Sequence, residues 1–159
     1  MSAIVRKARH GDEEGIHNSH MTSIQEVCSK DYTPEQIAAW GGRSFNLDQK
    51  RNLIDNHHVW VVESDGKVEG YGLLFVSESQ FEIGGLYFTP KVLGLGLGKK
   101  IIDEMKVVAK SLGAKEIFLS STKTSKKFYE KQGFHQYDED DVSMIGGVPV
   151  EGHPMKISV

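Results

Sequence analysis

Glycine occupies every second position of one short segment, where residues 93–98 read Leu-Gly-Leu-Gly-Leu-Gly. A glycine has no side chain to cover the backbone, so several neighbouring N–H groups can point at one anion. A helical pattern begins directly after this loop, and the first turn of a helix adds unpaired N–H donors and the positive end of its dipole. The segment therefore predicts a cradle for a phosphate-bearing ligand.

Two common phosphate-binding loops are excluded by counting residues. A Walker A loop would need glycine at position 93 and a hydroxyl side chain at position 100, where Leu93 and Lys100 stand. A dinucleotide-binding fingerprint that starts at Gly94 would need its third glycine where Lys99 stands, and it would belong near the first strand of the fold. The loop is therefore expected to bind a different phosphate ligand.

The elements on either side of the loop indicate how it is positioned. Residues 81–88 are typical of a β-strand, but Gly84 and Gly85 put its apolar positions out of phase by one, as a β-bulge does. Leu97 and the apolar residues that follow it at helical spacing predict a helix that ends near Gly113. The loop is thus expected to leave a bulged strand and to enter a helix.

A second motif lies farther along the chain, where residues 127–134 read Lys-Phe-Tyr-Glu-Lys-Gln-Gly-Phe. With the glycine loop, it resembles the GNAT superfamily of N-acetyltransferases, which combines a Gln/Arg-x-x-Gly-x-Gly/Ala loop with a later Phe-Tyr-x-x-x-Gly-Phe element. The resemblance is strongest over residues 58–135. Leu93 stands where the family prefers Gln or Arg, and Thr122 and Ser125 stand where it often has Asn and Ala.

The resemblance implies acetyl-CoA as the co-substrate. In the family, the strand with the bulge binds the pantetheine arm through its backbone, and the amides of the loop hold the pyrophosphate. Because Leu93 offers no polar side chain, we expect this loop to hold the pyrophosphate through its backbone alone. The cofactor-binding residues implied in this way are Leu86, Tyr87, Phe88, Leu93, Gly94, Leu95, Gly96, Leu97, Gly98, Lys99, Thr122 and Ser125.

Direct acetyl transfer to an amine poses two proton problems. An ammonium of pKa ~10.4 must lose a proton near neutral pH, which costs roughly 4.6 kcal/mol, and the departing thiolate benefits from an acid. Tyr129 stands where the family has its thiolate-protonating tyrosine, so it is the expected acid. Glu82, on the strand before the bulge, is the expected base or water-positioning anion; a water molecule or another residue is the alternative.

The acceptor is expected to be an amine of a small molecule or a peptide. His20, Tyr32 and Trp40 are expected to line its pocket, because the helices before the core shape that side of the family fold. The alternative function is a non-catalytic acyl-CoA sensor of the same fold. Members of the family often form homodimers, and an exposed strand edge could provide the dimer interface.

The composition bounds these expectations. A chain of 159 residues with 38% hydrophobic and 26% charged residues suits one soluble domain over residues 1–159. A net charge of −3 argues against nucleic-acid binding through overall basicity, and no apolar run reaches the length of a membrane span. The single cysteine, Cys28, fits a reducing compartment, and the expected location is the cytoplasm.

The histidines do not predict a metal site. His17 and His20 lie three residues apart, and His57 and His58 precede a strand, but neither pair has a carboxylate or cysteine partner at a convincing ligand spacing. We therefore expect no metal.

Local signals along the rest of the chain complete the expected fold. Helices are predicted over residues 12–28 with Asp12 as N-cap, from a capping box at Thr33 to about Trp40, and over residues 47–55. A β-meander, a helix, a short strand, a helix and a terminal strand pair follow. The chain is therefore predicted to be a single-domain α/β (α+β) protein of GNAT-like fold. Its central sheet would be mixed, mostly antiparallel and twisted, with a bulged fourth strand and helices on both faces.

Overall fold

The computed structural model describes residues 2–78 and 80–159 and arranges them as helices on both faces of one twisted sheet. The strands are β1 (Ala3–Lys7), β2 (His58–Ser64), β3 (Lys67–Val76), β4 (Phe81–Phe88), β5 (Glu116–Ser121), β6 (His135–Gln136), β7 (Asp141–Ile145) and β8 (Val148–Ser158). The α-helices are α1 (Glu13–Glu26), α2 (Pro34–Gly41), α3 (Leu47–Asn56), α4 (Leu97–Ser111) and α5 (Lys126–Lys131). Short 3-10 turns at Cys28–Lys30 and Pro90–Val92 follow α1 and β4.

The strand order is β1-β2-β3-β4-β5-β8-β6, and β7 pairs with β8 beside this path. Neighbouring strands are antiparallel except for β4 and β5, which are parallel. Helices α1 to α3 contribute to two apolar clusters on one face of the sheet, while α4 and α5 pack on the other. The mixed, mostly antiparallel sheet with helices on both faces confirms the predicted fold class.

The predicted bulge lies in β4, the fourth strand along the chain. Leu73 of β3 stands opposite Gly85, whereas Leu74 stands opposite Ile83, so Gly84 is the extra residue between them. A side chain at Gly84 would overlap the ring of Phe75, and this close approach explains the glycine.

Strands β4 and β5 separate directly after this point. Their pairing consists of Glu82 opposite Phe118 and Ile83 opposite Leu119, and it ends there. The outer edge of residues 84–88 has no strand beside it among the described residues, so its backbone groups are free to bind a ligand. A gap therefore opens in the middle of the sheet.

Both predicted N-cap positions are confirmed, but only Thr33 caps its helix through the side chain. The hydroxyl of Thr33 accepts a hydrogen bond from the amide of Gln36 at 3.2 Å, and the side chain of Gln36 accepts one from the amide of Thr33 at 2.9 Å. Asp12, however, makes no side-chain cap for α1. Its carboxylate instead accepts two hydrogen bonds from Arg6 at 2.8 and 2.9 Å and one from the amide of Arg9 at 2.9 Å. A guanidinium that binds both oxygens is the stronger partner.

The largest apolar cluster fixes α4 behind the gap. Ile101, Ile102 and Met105 of α4 are fully buried, and they pack in one cluster with Leu74 of β3 and Ile117 of β5. This cluster joins strands from both sides of the gap, so the first turn of α4 is held close to the open edge of β4. Across residues 2–78 and 80–159, no helix combines the length and the apolar character that a membrane crossing requires.

Candidate active site

A cleft of about 500 Å³ lies where the glycine loop, the edge of β4 and helix α5 meet. The end of α1 closes its far wall. The residues that line this cleft are Ser23, Val27, Cys28, Lys30, Leu86, Tyr87, Phe88, Val92, Leu93, Gly94, Gly96, Leu97, Gly98, Lys99, Thr124, Ser125, Phe128 and Gln132. Most of the residues predicted to bind the cofactor are thus brought to one place.

The backbone of the loop has the geometry of an anion site. Gly94 and Gly96 have positive φ angles of +75° and +77°, which are costly for other residues. Within the described residues, the amides of residues 93–99 donate to no protein acceptor, and the first amide that does is that of Lys100, to the carbonyl of Gly96 at 3.3 Å. Consecutive free N–H groups at the start of α4 can hold a phosphate oxygen.

The side chains of the loop contribute unequally. Leu93 is 44% exposed and lines the cleft, whereas Leu95 is 56% exposed and does not. Lys99 lines the cleft but also pairs with Asp103 one turn later, at 2.7 Å. The side chains therefore add little to what the backbone offers.

A narrow slot of about 20 Å³ continues from the cleft into the gap between β4 and β5. Leu86, Tyr87 and Ser125 line both spaces. Thr122 lines the slot but not the cleft. Its hydroxyl donates a hydrogen bond to the hydroxyl of Ser125 at 3.0 Å and accepts one from the amide of Ser125 at 3.1 Å. These two residues therefore form a polar corner where α5 begins.

Tyr129 is one of the residues that line the slot. Its ring is held edge-on between Phe128 and Phe134, with centroid distances of 5.4 and 5.6 Å, and the residue is 5% exposed. Its hydroxyl has no hydrogen-bond partner among the described residues. Burial raises the pKa of Tyr129 well above that of a free phenol, so it stays protonated at every physiological pH.

Glu82 lines a different space, a cavity of about 470 Å³ on the other side of the gap. Ser120 lines both this cavity and the slot. Partial burial raises the pKa of Glu82 above the usual carboxyl value. Since Tyr129 and Glu82 line different spaces, the structure does not bring the two predicted catalytic groups into one pocket.

This second cavity, here called the acidic cavity, is rich in carboxylates. Its lining residues are Gln80, Glu82, Phe118, Leu119, Ser120, Tyr137, Asp138, Glu139, Asp140, Asp141 and Pro154. Asp140 pairs with His153 at 2.7 Å, and Asp141 accepts a hydrogen bond from Ser120 at 2.9 Å. In the part of the chain that the structure describes, no cationic side chain pairs with the other three carboxylates. The acidic cavity therefore attracts cations.

The three residues predicted to bind the acceptor gather around Tyr87. The ring of His20 lies 4.1 Å from that of Tyr87, and the indole of Trp40 lies 6.3 Å from it. Tyr32 packs edge-on against Trp40, but its hydroxyl is already used: it accepts from the amide of Lys123 at 2.9 Å and donates to a carbonyl of β8 at 3.1 Å. His20 has a fully buried ring nitrogen, Nε2, without a hydrogen-bond partner among the described residues.

Sequence reasoning missed the contribution of α1 to the cleft. Ser23, Val27 and Lys30 line it from the end of α1 and the turn that follows, and Cys28 lies beside them. Their i, i+4, i+7 spacing marks one helix face, a signal that could have revealed them. Cys28 is buried, and burial raises the pKa of its thiol, so it is not a reactive thiolate.

The comparison with known protein families decides which family this site belongs to. The sequence model of the acetyltransferase (GNAT) domain matches residues 28–159. This chain belongs to the GNAT family of acetyltransferases. The resemblance seen in the glycine loop and the Phe-Tyr element is thereby confirmed, and it extends to the end of the chain.

Individual relatives agree with this family assignment. YjgM of Escherichia coli (strain K12), an uncharacterized N-acetyltransferase, is 35% identical over 102 residues, which cover 58% of this chain and 61% of the relative. The match therefore spans about three fifths of that relative's length. A GCN5-related N-acetyltransferase from Rhodopseudomonas palustris has a TM-score of 0.87 at 19% identity, covering 100% of this chain and 97% of its own. The PaiA N-acetyltransferase from Thermoplasma acidophilum, solved with coenzyme A, has a TM-score of 0.80 at 21% identity over 100% of both chains. These two structures show that the whole GNAT fold is shared.

Proposed function

We propose that this protein is an acetyl-CoA-dependent N-acetyltransferase that transfers the acetyl group directly to an amine of a small molecule or a peptide. The observation that carries the proposal is that the cleft, the slot and the acidic cavity lie side by side and share lining residues. Ser125 joins the first two spaces and Ser120 joins the last two. A donor and an acceptor that enter from opposite ends would meet beside the bulge of β4.

The residues of the cleft suit the donor. The free amides of residues 93–99 and the first turn of α4 would hold its pyrophosphate, and the unpaired edge of residues 86–88 would bind the amides of its pantetheine arm. The thioester would then reach the slot. Bound acetyl-CoA supplies the activated acetyl group, and the protein has to orient it and stabilise the charge that develops on sulfur.

Tyr129 is assigned the stabilisation of the leaving sulfur. A phenol whose pKa lies far above that of a thiol does not give up its proton completely to the thiolate. Tyr129 would instead donate a hydrogen bond that strengthens as negative charge collects on sulfur. The tyrosine predicted to act as an acid would therefore act as a fixed hydrogen-bond donor.

The acidic cavity is assigned to the acceptor. Amines are protonated at neutral pH, and a pocket with several unpaired carboxylates concentrates such cations at its mouth. Glu82 lies on the strand that leads into the bulge, so it can hold an ammonium group at the entrance to the slot. We therefore propose a cationic acceptor, with Glu82 as the anion that orients it.

A thiol-release assay with acetyl-CoA and a panel of amines tests the proposed function. The panel should compare diamines and basic peptides with neutral amines and acidic amino acids of similar size. Release above the no-acceptor rate with the cationic members is the expected result. Calorimetry that shows tight CoA binding without release for any amine would contradict catalysis and would favour the sensor. Absence of CoA binding would contradict both functions.

Replacing Glu82 with glutamine should raise the KM for a cationic acceptor by about 3–10-fold and leave kcat nearly unchanged, because one attractive charge is lost at a partly exposed site. The same change at Glu35, an exposed residue of α2, is the matched control and should have no effect. KM and kcat are measured for one diamine at low and high salt, since salt screens the attraction. A large loss in kcat at constant KM would make Glu82 the general base.

Replacing Leu93 with glutamine should tighten acetyl-CoA binding by about 3–10-fold. Leu93 lines the cleft beside the free amides, and a polar side chain there can add one hydrogen bond to a charged phosphate. Calorimetric titration of the variant measures the gain. Leu95→Gln is the control, since Leu95 does not line the cleft, and an equal gain in both variants would contradict the assignment of the loop.

A further inference from the structure

A histidine and a tyrosine meet above the bulge of β4, on the face of the sheet that α1 covers. The hydroxyl of Tyr71, on β3, lies 3.1 Å from Nδ1 of His20. A Cβ atom at Gly85 would lie only 2.7 Å from the same hydroxyl. Because Gly85 lines the slot and has no side chain, the hydroxyl of Tyr71 comes close to the backbone that forms the wall of the slot.

The surroundings hold this pair in one arrangement. The ring of His20 packs on Tyr87, and the rings of Tyr71 and Tyr87 are stacked at a centroid distance of 6.0 Å. Tyr71 is 5% exposed. Nε2 of His20 is buried and has no hydrogen-bond partner in residues 2–78 and 80–159, so Tyr71 is the only group there that orients the imidazole by a hydrogen bond.

The charges around His20 favour its neutral form. The pKa of His20 is lowered well below the ordinary value of 6.5, and burial is the largest cause. The nearby Arg43, Lys50 and His17 lower it further. Tyr71 and Tyr87, from β3 and β4, face it as neutral phenols whose pKa values burial raises. A neutral imidazole can accept a proton, and a phenol can accept one hydrogen bond while it donates another.

We infer that Tyr71 and His20 form the proton-accepting pair of the transfer, with Tyr71 touching the acceptor amine and His20 acting through Tyr71. This inference rests on the proposed function. In this proposal the general base is a pair of residues that are far apart in the sequence. Glu82 then has the separate role of orienting the acceptor.

In the transfer step, the reacting amine first loses its ammonium proton to solvent. The neutral nitrogen then forms a bond to the acetyl carbon, and the bond from that carbon to sulfur breaks with its electron pair going to sulfur. The nitrogen, strongly acidic once it is bonded to the acetyl carbon, passes one proton to the oxygen of Tyr71 as Tyr71 passes its own proton to Nδ1 of His20. The sulfur leaves as a thiolate that Tyr129 stabilises and solvent protonates, and His20 returns its proton to solvent.

Two variants test the pair, each with little change of shape. Tyr71→Phe removes one oxygen, and His20→Asn keeps a hydrogen-bond acceptor near the position of Nδ1 but cannot take a proton. Each is expected to lower kcat by about 100-fold, within the range of general-base catalysis, while the Kd for CoA stays unchanged. The double variant should lose no more than either single variant, because the two residues act as one unit.

The pH profile separates proton transfer from a structural role. In the wild type, kcat should fall at low pH with an apparent pKa below 6.5, as His20 becomes protonated. His20→Asn should lack this limb. His10→Asn changes an exposed histidine that pairs with Asp55, outside the proposed site, and should keep it. A wild-type rate in His20→Asn or Tyr71→Phe, or losses that multiply in the double variant, would overturn the proposal that the two residues act as a proton-accepting pair.

Thermal unfolding and CoA binding of the same variants show whether they are folded. An inactive wild type would overturn the proposed function itself, so the two failures are distinguishable.

Discussion

Replacing Tyr129 with phenylalanine should lower kcat by about 10²–10³-fold and leave the Kd for acetyl-CoA unchanged. The hydroxyl is the only part of the side chain that is removed, and it has no partner to lose among the described residues. The ring would stay between Phe128 and Phe134, so the fold should not change. The variant should lose stabilisation of the transition state and not of the bound substrate, because negative charge collects on sulfur only as the carbon–sulfur bond breaks.

Single-turnover thiol release and calorimetry together measure this effect. Release should slow at saturating acetyl-CoA and acceptor, whereas the titration curve for CoA should match that of the wild type. The loss should not depend on pH between 6 and 9, because the pKa of Tyr129 is raised far above this range. A wild-type kcat in the variant would rule out a role for this hydroxyl in the departure of the thiolate.

Replacing Asp12 with asparagine should lower the free energy of unfolding by about 2–3 kcal/mol, because the largely buried guanidinium of Arg6 loses its charged partner. Glu63 lies 3.4 Å from Arg6 and retains part of the attraction, which keeps the loss below that of a fully unpaired charge. Denaturant unfolding measures the difference. Asp55→Asn removes an exposed pair with His10 and is the control that should leave stability unchanged.

The same pair predicts how stability depends on pH. Burial alone would raise the pKa of Asp12, but hydrogen bonds from Arg6 and the amide of Arg9 outweigh it and leave the pKa lowered. A carboxyl whose folded pKa is lowered adds stability above its unfolded pKa of ~3.9, and that stability is lost as pH falls through the folded value. The stability gap between the wild type and Asp12→Asn should therefore be full at pH 6 and close below pH 4. A gap that stays constant down to pH 3 would mean that the charge of Asp12 is not involved.

Local signals predicted the elements that hold the donor. The glycines at 84 and 85 mark the bulge, and the alternation at 93–98 marks the loop, because in both places the backbone itself needs a residue without a side chain. The capping box at Thr33 could also be predicted, because its partner, Gln36, is only three residues away in the sequence. Asp12 was correctly predicted at the N-cap position of α1, but its pairing with Arg6 was not predicted, because Arg6 lies on the preceding strand and a helix pattern carries no information about it.

The acceptor side depends on contacts that a linear pattern does not carry. His20 and Tyr71 are 51 residues apart in the chain, and their meeting depends on how α1 packs across β3. The acidic run at residues 138–141 is visible in the sequence, but its position beside Glu82 follows from β8 inserting between β5 and β6. The position of the acidic cavity therefore depends on the strand order.

The two residue pairs that join β4 to β5 also make this junction a weak line across the middle of the sheet. Strands β1 to β4 form one continuous ladder and β5 to β8 another, and between them the backbone contributes little cohesion. Local opening along this line needs less free energy than global unfolding, and hydrogen exchange would detect it first in the amides of β5. A ligand that spans the junction would contact both ladders. Local opening between β4 and β5 is therefore expected to be more frequent in the free enzyme than in the enzyme with bound substrates.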